Sequence, residues 1–383
     1  MQELGLISRF TAALDAVPAD VHAGPVGLAV SGGSDSTALL HLARRWATDH
    51  SAALHVFTVD HRLREGSAAE ARQVAAASRR LGLSHTTLIW TDPAPRQSAA
   101  RRARHALLAS ALRRLGGQLL LTGHTADDQA ETVLMRARQG SGWYGLAGMR
   151  PLSLSPVWPE GQGAWIVRPL LGAFRADLRQ WLTGQGEVWA EDPSNANLAF
   201  ERVRVRALLT GAPERTRRVL ACQQQFALLR HLEDAALARW LARAVRVTPA
   251  GHIAARFDGL PPERAARGLG VLIQCAGGHE TPPRSASLAG LAARLLDTAG
   301  FRGATLGRVR LRPSRGAVTF SPDPGSPGNT PDPVVLEARI DCFRRLFLNS
   351  PQEFTGVTGK ESFLQGLTPI FSPEPVSFSR DLP

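Results

Sequence analysis

The chain has 383 residues, 44% hydrophobic and 20% charged, enough apolar material for two or three domains with buried cores. Its three cysteines, Cys222, Cys275 and Cys342, are far apart and form no Cys-x-x-Cys pair, which argues against a disulfide framework, a zinc site or an iron–sulfur site. The net charge is +12, and because Lys360 is the sole lysine, the positive surface is made of arginine, whose planar fork suits phosphates and base edges.

No apolar run approaches the roughly 18 residues of a membrane span. Met1 to Leu14 reads as a short amphipathic helix carrying Glu3 and lacks the basic start of a signal peptide, so a cytoplasmic protein without a membrane partner is expected. Strand candidates then follow at Val26 to Val30, Leu54 to Val59, His85 to Trp90 and Gln118 to Thr122. Each is followed by a helical stretch: Ser36 to Ala47, Ser67 to Leu81, Gln97 to Leu115 and Ala126 to Gln139. Strands alternating with helices predict an α/β fold with a doubly wound parallel sheet, and the continuous apolar run Leu119-Leu120-Leu121 fits a strand covered on both faces.

Residues 140–211 read as loops and short helices. A long helical linker follows from Glu214 to about Val247, then a small mixed α+β region to residue 320, with helices at Pro262 to Gln274 and Ser287 to Leu296 and strands at Val309 to Arg312 and Val318 to Phe320. Five prolines within 321–333 mark a linker, and the tail to Pro383 is read without a period. The expected division is 1–211, 212–320 and 321–383.

Ligands of open α/β sheets bind beyond the carboxyl ends of the strands. Three polar clusters fall there: Ser31-Gly32-Gly33-Ser34-Asp35-Ser36, Asp60-His61-Arg62-Leu63-Arg64, and Gly123-His124-Thr125-Ala126-Asp127-Asp128-Gln129-Ala130-Glu131-Thr132. In the first, two glycines let the backbone approach a ligand, and the turn's N–H groups with the helix start make an anion site. No Gly-Lys-Ser/Thr is present, so this is not a Walker loop. The alternative is a serine–glycine turn with Asp35 as a helix-start charge. In the third cluster Asp127 and Glu131 share a helix face and suit Mg²⁺ or a substrate ammonium, while Thr125 to Asp128 is also a capping box. His124 reads as a ligand contact or as a packed strand-end histidine. Arg101, Arg104 and His105 share a face that is either solvated or turned to a substrate.

The Ser-Gly-Gly-x-Asp-Ser pattern resembles the pyrophosphate-binding loop of the N-type ATP pyrophosphatase superfamily, the PP-loop ATPases with an adenine nucleotide alpha hydrolase-like fold. Gly123 to Thr132, Gly140 to Met149, Arg168-Pro169-Leu170-Leu171, Asp192-Pro193-Ser194-Asn195 and Phe200 to Arg206 together resemble the tRNA(Ile)-lysidine synthetase family. The match runs in order over about residues 24–210; the family usually has an aromatic residue where His105 stands.

The resemblance implies that ATP adenylates the wobble cytidine of the CAU anticodon of tRNA(Ile), and that free L-lysine then attacks through its ε-amine as AMP leaves. Asp35, Asp127, Glu131 and Arg101 would be catalytic, with Asp35 and Asp127 holding Mg²⁺. Ser31, Gly32, Gly33, Ser34, Asp35, Ser36, Asp60, His61, Arg202 and Arg206 would bind ATP. His124, Asp128, Arg104, Trp143 and Tyr144 would bind the substrates, the last two from a mobile glycine-rich loop. Residues 1–211 would then be the catalytic domain and 212–320 a linker and tRNA-binding region. A sulfur-transferring relative would need reactive cysteines near the loop, and the first 221 residues contain none. The sequence leaves the oligomeric state open, a homodimer included.

Overall fold

The computed structural model describes residues 2–21, 24–62, 66–91, 97–191, 197, 199–297, 300–324 and 332–349. Helix α1 (Gln2–Asp15) precedes β1 (Val26–Ala29), α2 (Ser34–His50), β2 (Leu54–Asp60), α3 (Ser67–Arg80), β3 (Ser84–Ile89), α4 (Gln97–Arg114), β4 (Leu119–Thr122) and α5 (Ala126–Arg138). These strand–helix units match the alternation read from the sequence. The short helix α6 (Trp143–Leu146) and strands β5 (Leu152–Leu154) and β6 (Trp165–Val167) then extend the sheet to the order β3-β2-β1-β4-β6-β5. All its pairings are parallel except β5 against β6.

Strand β4 is buried along its whole length. Its two faces meet different cores. Leu28, Val56, Leu119 and Leu121 join Leu39, Leu42 and Leu178 on one side, and Phe57, Leu120 and Ile166 join Leu108 and Leu112 of α4 on the other. A sheet desolvated on both faces explains why its strands are apolar runs rather than alternating ones. The carboxyl ends of β1 and β4 therefore open side by side onto the starts of α2 and α5.

Helices α7 (Arg175–Gly184) and α8 (Glu201–Leu209) lead into α9 (Pro213–Ala244), a 32-residue rod that contacts α5, α6 and α8. The rest is a second, antiparallel sheet of β7 (Val245–Val247), β8 (Ile253–Ala255), β9 (Ala304–Leu306), β10 (Val309–Ser314) and β11 (Ala317–Pro322), ordered β7-β8-β11-β10-β9. Helices α10 (Pro262–Ala276) and α11 (Ser285–Leu296) pack on one another, and α10 contacts β11.

The reading of 321–383 as linker and tail is corrected in part. Helix α12 (Pro333–Leu348) is folded against α9, α10, β5 and β7. Its Leu336, Ile340, Leu346 and Phe347 are buried, and each contributes roughly 1.5–3 kcal/mol by leaving water. Asp332 caps it by accepting a hydrogen bond from Val334 N–H at 2.7 Å. Residues 350–383 lie outside the described residues. No helix among the described residues is long and apolar enough to cross a membrane.

Candidate active site

The turn after β1 is built by its own hydroxyl. Ser36 Oγ accepts hydrogen bonds from the N–H groups of Ser31 (3.2 Å) and Gly32 (3.1 Å) and donates to the Gly33 carbonyl (3.0 Å). Gly32 takes φ +92°, a conformation that side chains other than glycine rarely adopt. No side chain caps the start of α2. With Ser36 tying the turn from inside, the N–H groups of that first turn stay available to an anion.

Gly123, at the end of β4, brings the second element in. A Cβ there would sit 3.0 Å from the Asp35 carbonyl oxygen and 3.1 Å from Ser36 N, so only glycine lets β4 approach the loop this closely. Directly beyond it the capping box forms as read: Thr125 N–H donates to Asp128 Oδ2 (2.8 Å), and Asp128 N–H to Thr125 Oγ1 (3.4 Å).

Arg175, the first residue of α7, ties these elements together. Its Nε donates to Asp35 Oδ2 at 2.9 Å, its Nη2 to Asp128 Oδ1 at 3.0 Å, and its backbone N–H to Asp127 Oδ2 at 2.7 Å. Asp127 thus caps α7 from across the site. Arg202 Nε donates to Glu131 Oε2 at 2.6 Å and its Nη2 to Asp128 Oδ1 at 2.9 Å, while Arg206 Nε reaches Glu131 Oε1 at 2.7 Å.

The consequences for protonation differ by position. Burial raises the Asp35 pKa, and Arg175 only partly offsets it. Burial also works against the Asp128 charge, but Arg202, Arg175 and the Thr125 N–H outweigh it and lower that pKa. Burial opposes the Arg175 charge too, yet Asp128 and Asp35 raise its pKa.

A guanidinium wall faces this acidic edge. Burial, then the charges of Arg101 and Arg202, push Arg104 down to about 10. His124 is lowered to about 3 by burial and then by Arg168, and His105 to about 3 by burial and then by Arg104. Both histidines are therefore neutral at pH 7. Arg101 is exposed on the same helix, its pKa lowered by burial of its head group and by Arg202.

Several expected residues stand differently from the sequence reading. Glu131 is only 1% exposed and both its oxygens are held by Arg202 and Arg206, so it does not share an open face with Asp127. Arg202 and Arg206, one turn apart, spend their guanidiniums on Glu131 and Asp128. Asp60 accepts from Ser67 Oγ (2.7 Å) and Arg62 N–H (2.9 Å), bonds that hold the β2–α3 turn and lower its pKa. His61 meets Trp90 edge-on, and burial, then Arg104, lower its pKa. Leu63, Arg64 and Asp192 to Asn195 lie outside the described residues.

Tyr144 lies on the short helix α6 rather than in a loop. Its hydroxyl donates to Asp234 Oδ1 of α9 at 2.8 Å, and the Arg267 guanidinium lies 3.5 Å from its ring centre. Trp143 meets the Tyr144 ring edge-on. The loop behind them is clamped. Arg136 Nη1 donates to the carbonyls of Gly145 (2.8 Å) and Gly148 (3.1 Å), Arg230 Nη1 also to Gly148 (2.7 Å), and Gln223 to Ala147 (2.9 Å).

Sequence reasoning missed Arg175, Asp234 and Arg179, whose Nε donates to Ser34 Oγ at 3.2 Å and which pairs with Glu191 at 2.9 Å. A weak signal for Arg175 existed. It opens a helix four residues after the end of Arg168-Pro169-Leu170-Leu171, and its i+4 partner is also arginine.

A parallel sheet whose β1 turn is a lysine-free serine–glycine anion site, edged by carboxylates at β4, defines a PP-loop domain. The PP-loop domain family model matches residues 6–212. The tRNA(Ile)-lysidine synthase of Hyphomonas neptunium is 52% identical over 95% of this chain and 98% of its own length. That of Mesorhizobium japonicum is 45% identical over 73% of this chain and 63% of its own. Among solved structures, the U34-tRNA thiolase NcsA of Methanococcus maripaludis is 14% identical, with a TM-score of 0.47 over 58% of this chain and 80% of that one. The chain belongs to the tRNA(Ile)-lysidine synthase family, ATP-using enzymes built on a PP-loop domain.

Proposed function

We propose that this chain ligates L-lysine to the wobble cytidine of the CAU anticodon of tRNA(Ile), converting ATP to AMP and pyrophosphate through an adenylated base. The observation that carries this reading is the open first turn of α2 beside Asp35, Asp127 and Asp128 at the joined ends of β1 and β4.

A carbonyl oxygen on the base leaves poorly, and as an adenylate it leaves well. The N–H groups of the first turn of α2 and the Ser31 and Ser34 hydroxyls hold the outer phosphates, which makes pyrophosphate the leaving group. Arg179 is placed to add positive charge, since it already donates to Ser34. The carboxylates of Asp35 and Asp127 both bond Arg175, the first through its guanidinium and the second through its backbone N–H, and are hard oxygen donors, so they fit Mg²⁺, which is bound through one or two carboxylates and the phosphates themselves. When bound, that ion neutralises charge on the departing pyrophosphate.

The lysine ε-amine has an ordinary pKa of about 10.4 and must be neutral to attack. Arg104, with neutral His105 and His124 behind it and Arg101 at the exposed rim, makes a positive wall that favours an uncharged amine. Asp128 spends both its oxygens on Thr125, Arg175 and Arg202, and so orders those arginines at the edge of the site.

The test is pyrophosphate release from labelled ATP with and without the tRNA. Release that depends on both tRNA and Asp35 is expected, with Asp35→Ala retaining tRNA binding. Release without RNA would point to a metabolite-adenylating enzyme, and a near-normal Asp35→Ala rate would remove Asp35 from the mechanism.

A further inference from the structure

Asp35 and Asp128 each have an oxygen within about 3 Å of the same guanidinium, and Asp127 is on that residue's backbone N–H. Glu131 is also 3.9 Å from Arg175 Nη1. Glu131 does not depend on it, because Arg202 and Arg206 grip both its oxygens. Asp128 has Arg202 as well. Asp35 is different: its ion pair is with Arg175. Asp35 is 19% exposed and Arg175 17%, so the pair stands at the mouth of the site, whereas Glu131 is at its floor.

We propose that Arg175 is the resident counter-ion of Asp35, exchanged there for the divalent cation that arrives with ATP. The proposal rests on reading Ser31–Ser36 as the ATP site and makes Arg175 a positioning residue. Its backbone stays pinned through Asp127, so only the side chain has to turn, and Asp128 remains within its reach. The exchange is driven by charge. A guanidinium balances one carboxylate, whereas a triphosphate entering beside Asp35 adds several negative charges that only a divalent ion offsets locally. The freed guanidinium then has a new anion to face, the phosphates held above the turn.

The exchange explains why four carboxylates can be gathered beside a phosphate site. Without a resident cation, Asp35 and Asp128 would repel both one another and the incoming nucleotide. With one fixed in place, the charge of Asp35 is balanced before nucleotide arrives, and the site resists a divalent ion that comes alone. Entry is thereby ordered, with metal and nucleotide together.

The test uses the full chain and Mn²⁺ alone, read by the loss of the free-ion electron paramagnetic resonance signal. Wild type should show weak binding. Arg175→Met, which keeps the aliphatic length and removes the charge, should bind Mn²⁺ at least about tenfold more tightly, because a positive charge a few ångströms away is removed. Adding Asp35→Asn to it should abolish the gain. Arg175→Gln, which retains hydrogen bonds to the carboxylates, serves if the Met variant does not fold, with the same expectation. No gain, or a gain that survives Asp35→Asn, overturns the exchange. A purely structural Arg175 would change thermal stability and leave Mn²⁺ affinity where it was. Pyrophosphate release by wild type in the same preparation separates the two readings. Release without a Mn²⁺ gain sinks only the exchange; no release sinks the ATP site on which it rests.

Discussion

Replacing Asp234 with asparagine tests how the catalytic sheet is joined to the helical rod. Asp234 lies on α9 at 0% exposure, with Arg150 Nη2 at 2.5 Å, Arg267 Nη2 at 2.8 Å and the Tyr144 hydroxyl at 2.8 Å. Arg230 leans on the same ring, and burial, then Arg150, push its pKa down to about 9. One carboxylate thus serves a pocket shared by three guanidiniums. Asparagine keeps the shape and removes the charge, which leaves buried arginines facing one another. Breaking a buried ion pair from one side costs about 3–5 kcal/mol. Urea unfolding of Asp234→Asn against wild type should show a loss of that size. Amide exchange across residues 141–150 should rise, because their carbonyls hang on Arg230 and Gln223 of the same helix. Adding Arg267→Met should recover part of the stability, since the stranded charge goes with it. A loss below about 1 kcal/mol, or no recovery in the double variant, would refute the counter-ion account.

Acid sensitivity should track His105, whose two ring nitrogens are buried without a partner. Its pKa in the fold is about 3, far below the ordinary 6.5. The unfolded chain therefore binds the proton first, and the stability present above pH 6.5 is lost as the pH falls toward 3. Between pH 7.5 and 5.5 this residue should cost about 1.4 kcal/mol. His105→Phe should remove that share from urea midpoints measured at the two pH values; an unchanged pH dependence would count against it. On the second sheet, Arg312 and Arg315 are exposed at the β10–β11 hairpin. If this face meets tRNA phosphates, each Arg→Ala change should lower the salt slope of binding by about 1, and an unaltered slope would put the RNA elsewhere.

Much of the first sheet was legible because desolvation on both faces leaves a plain mark, as in Leu119-Leu120-Leu121. Strands β5 and β6 were not, since three residues such as Trp165-Ile166-Val167 are too few to show a period. Helix α12 carried a readable stripe at Leu336, Ile340, Phe343 and Phe347 behind a capping Asp332-Pro333. The run of prolines before it pulled the reading toward a linker. The Ser31–Ser36 turn could be placed because its chemistry is local. Arg175 could not, because its partner Asp35 is 140 positions away and only the fold joins them. Asp127 and Glu131 illustrate the limit from the other side. Their spacing correctly put them on one helix, but it could not say that Glu131 faces two arginines from α8 while Asp127 caps α7.

The arginine excess acquires a second meaning from these contacts. A guanidinium can serve two acceptors at fixed angles, which an ammonium on a flexible stem does less well. Arg136 spans the carbonyls of Gly145 and Gly148, Arg175 spans Asp35 and Asp128, and Arg339 donates to the Cys275 carbonyl while its guanidinium lies 4.0 Å from the Trp158 ring centre. These side chains assemble the molecule and are turned inward. Arg218, Arg312 and Arg315 are exposed and free of that duty. The net charge of +12 therefore measures no number of phosphate contacts. It is the sum of an inner set, whose loss should be read as instability, and an outer set, whose loss should be read in the salt dependence of RNA binding.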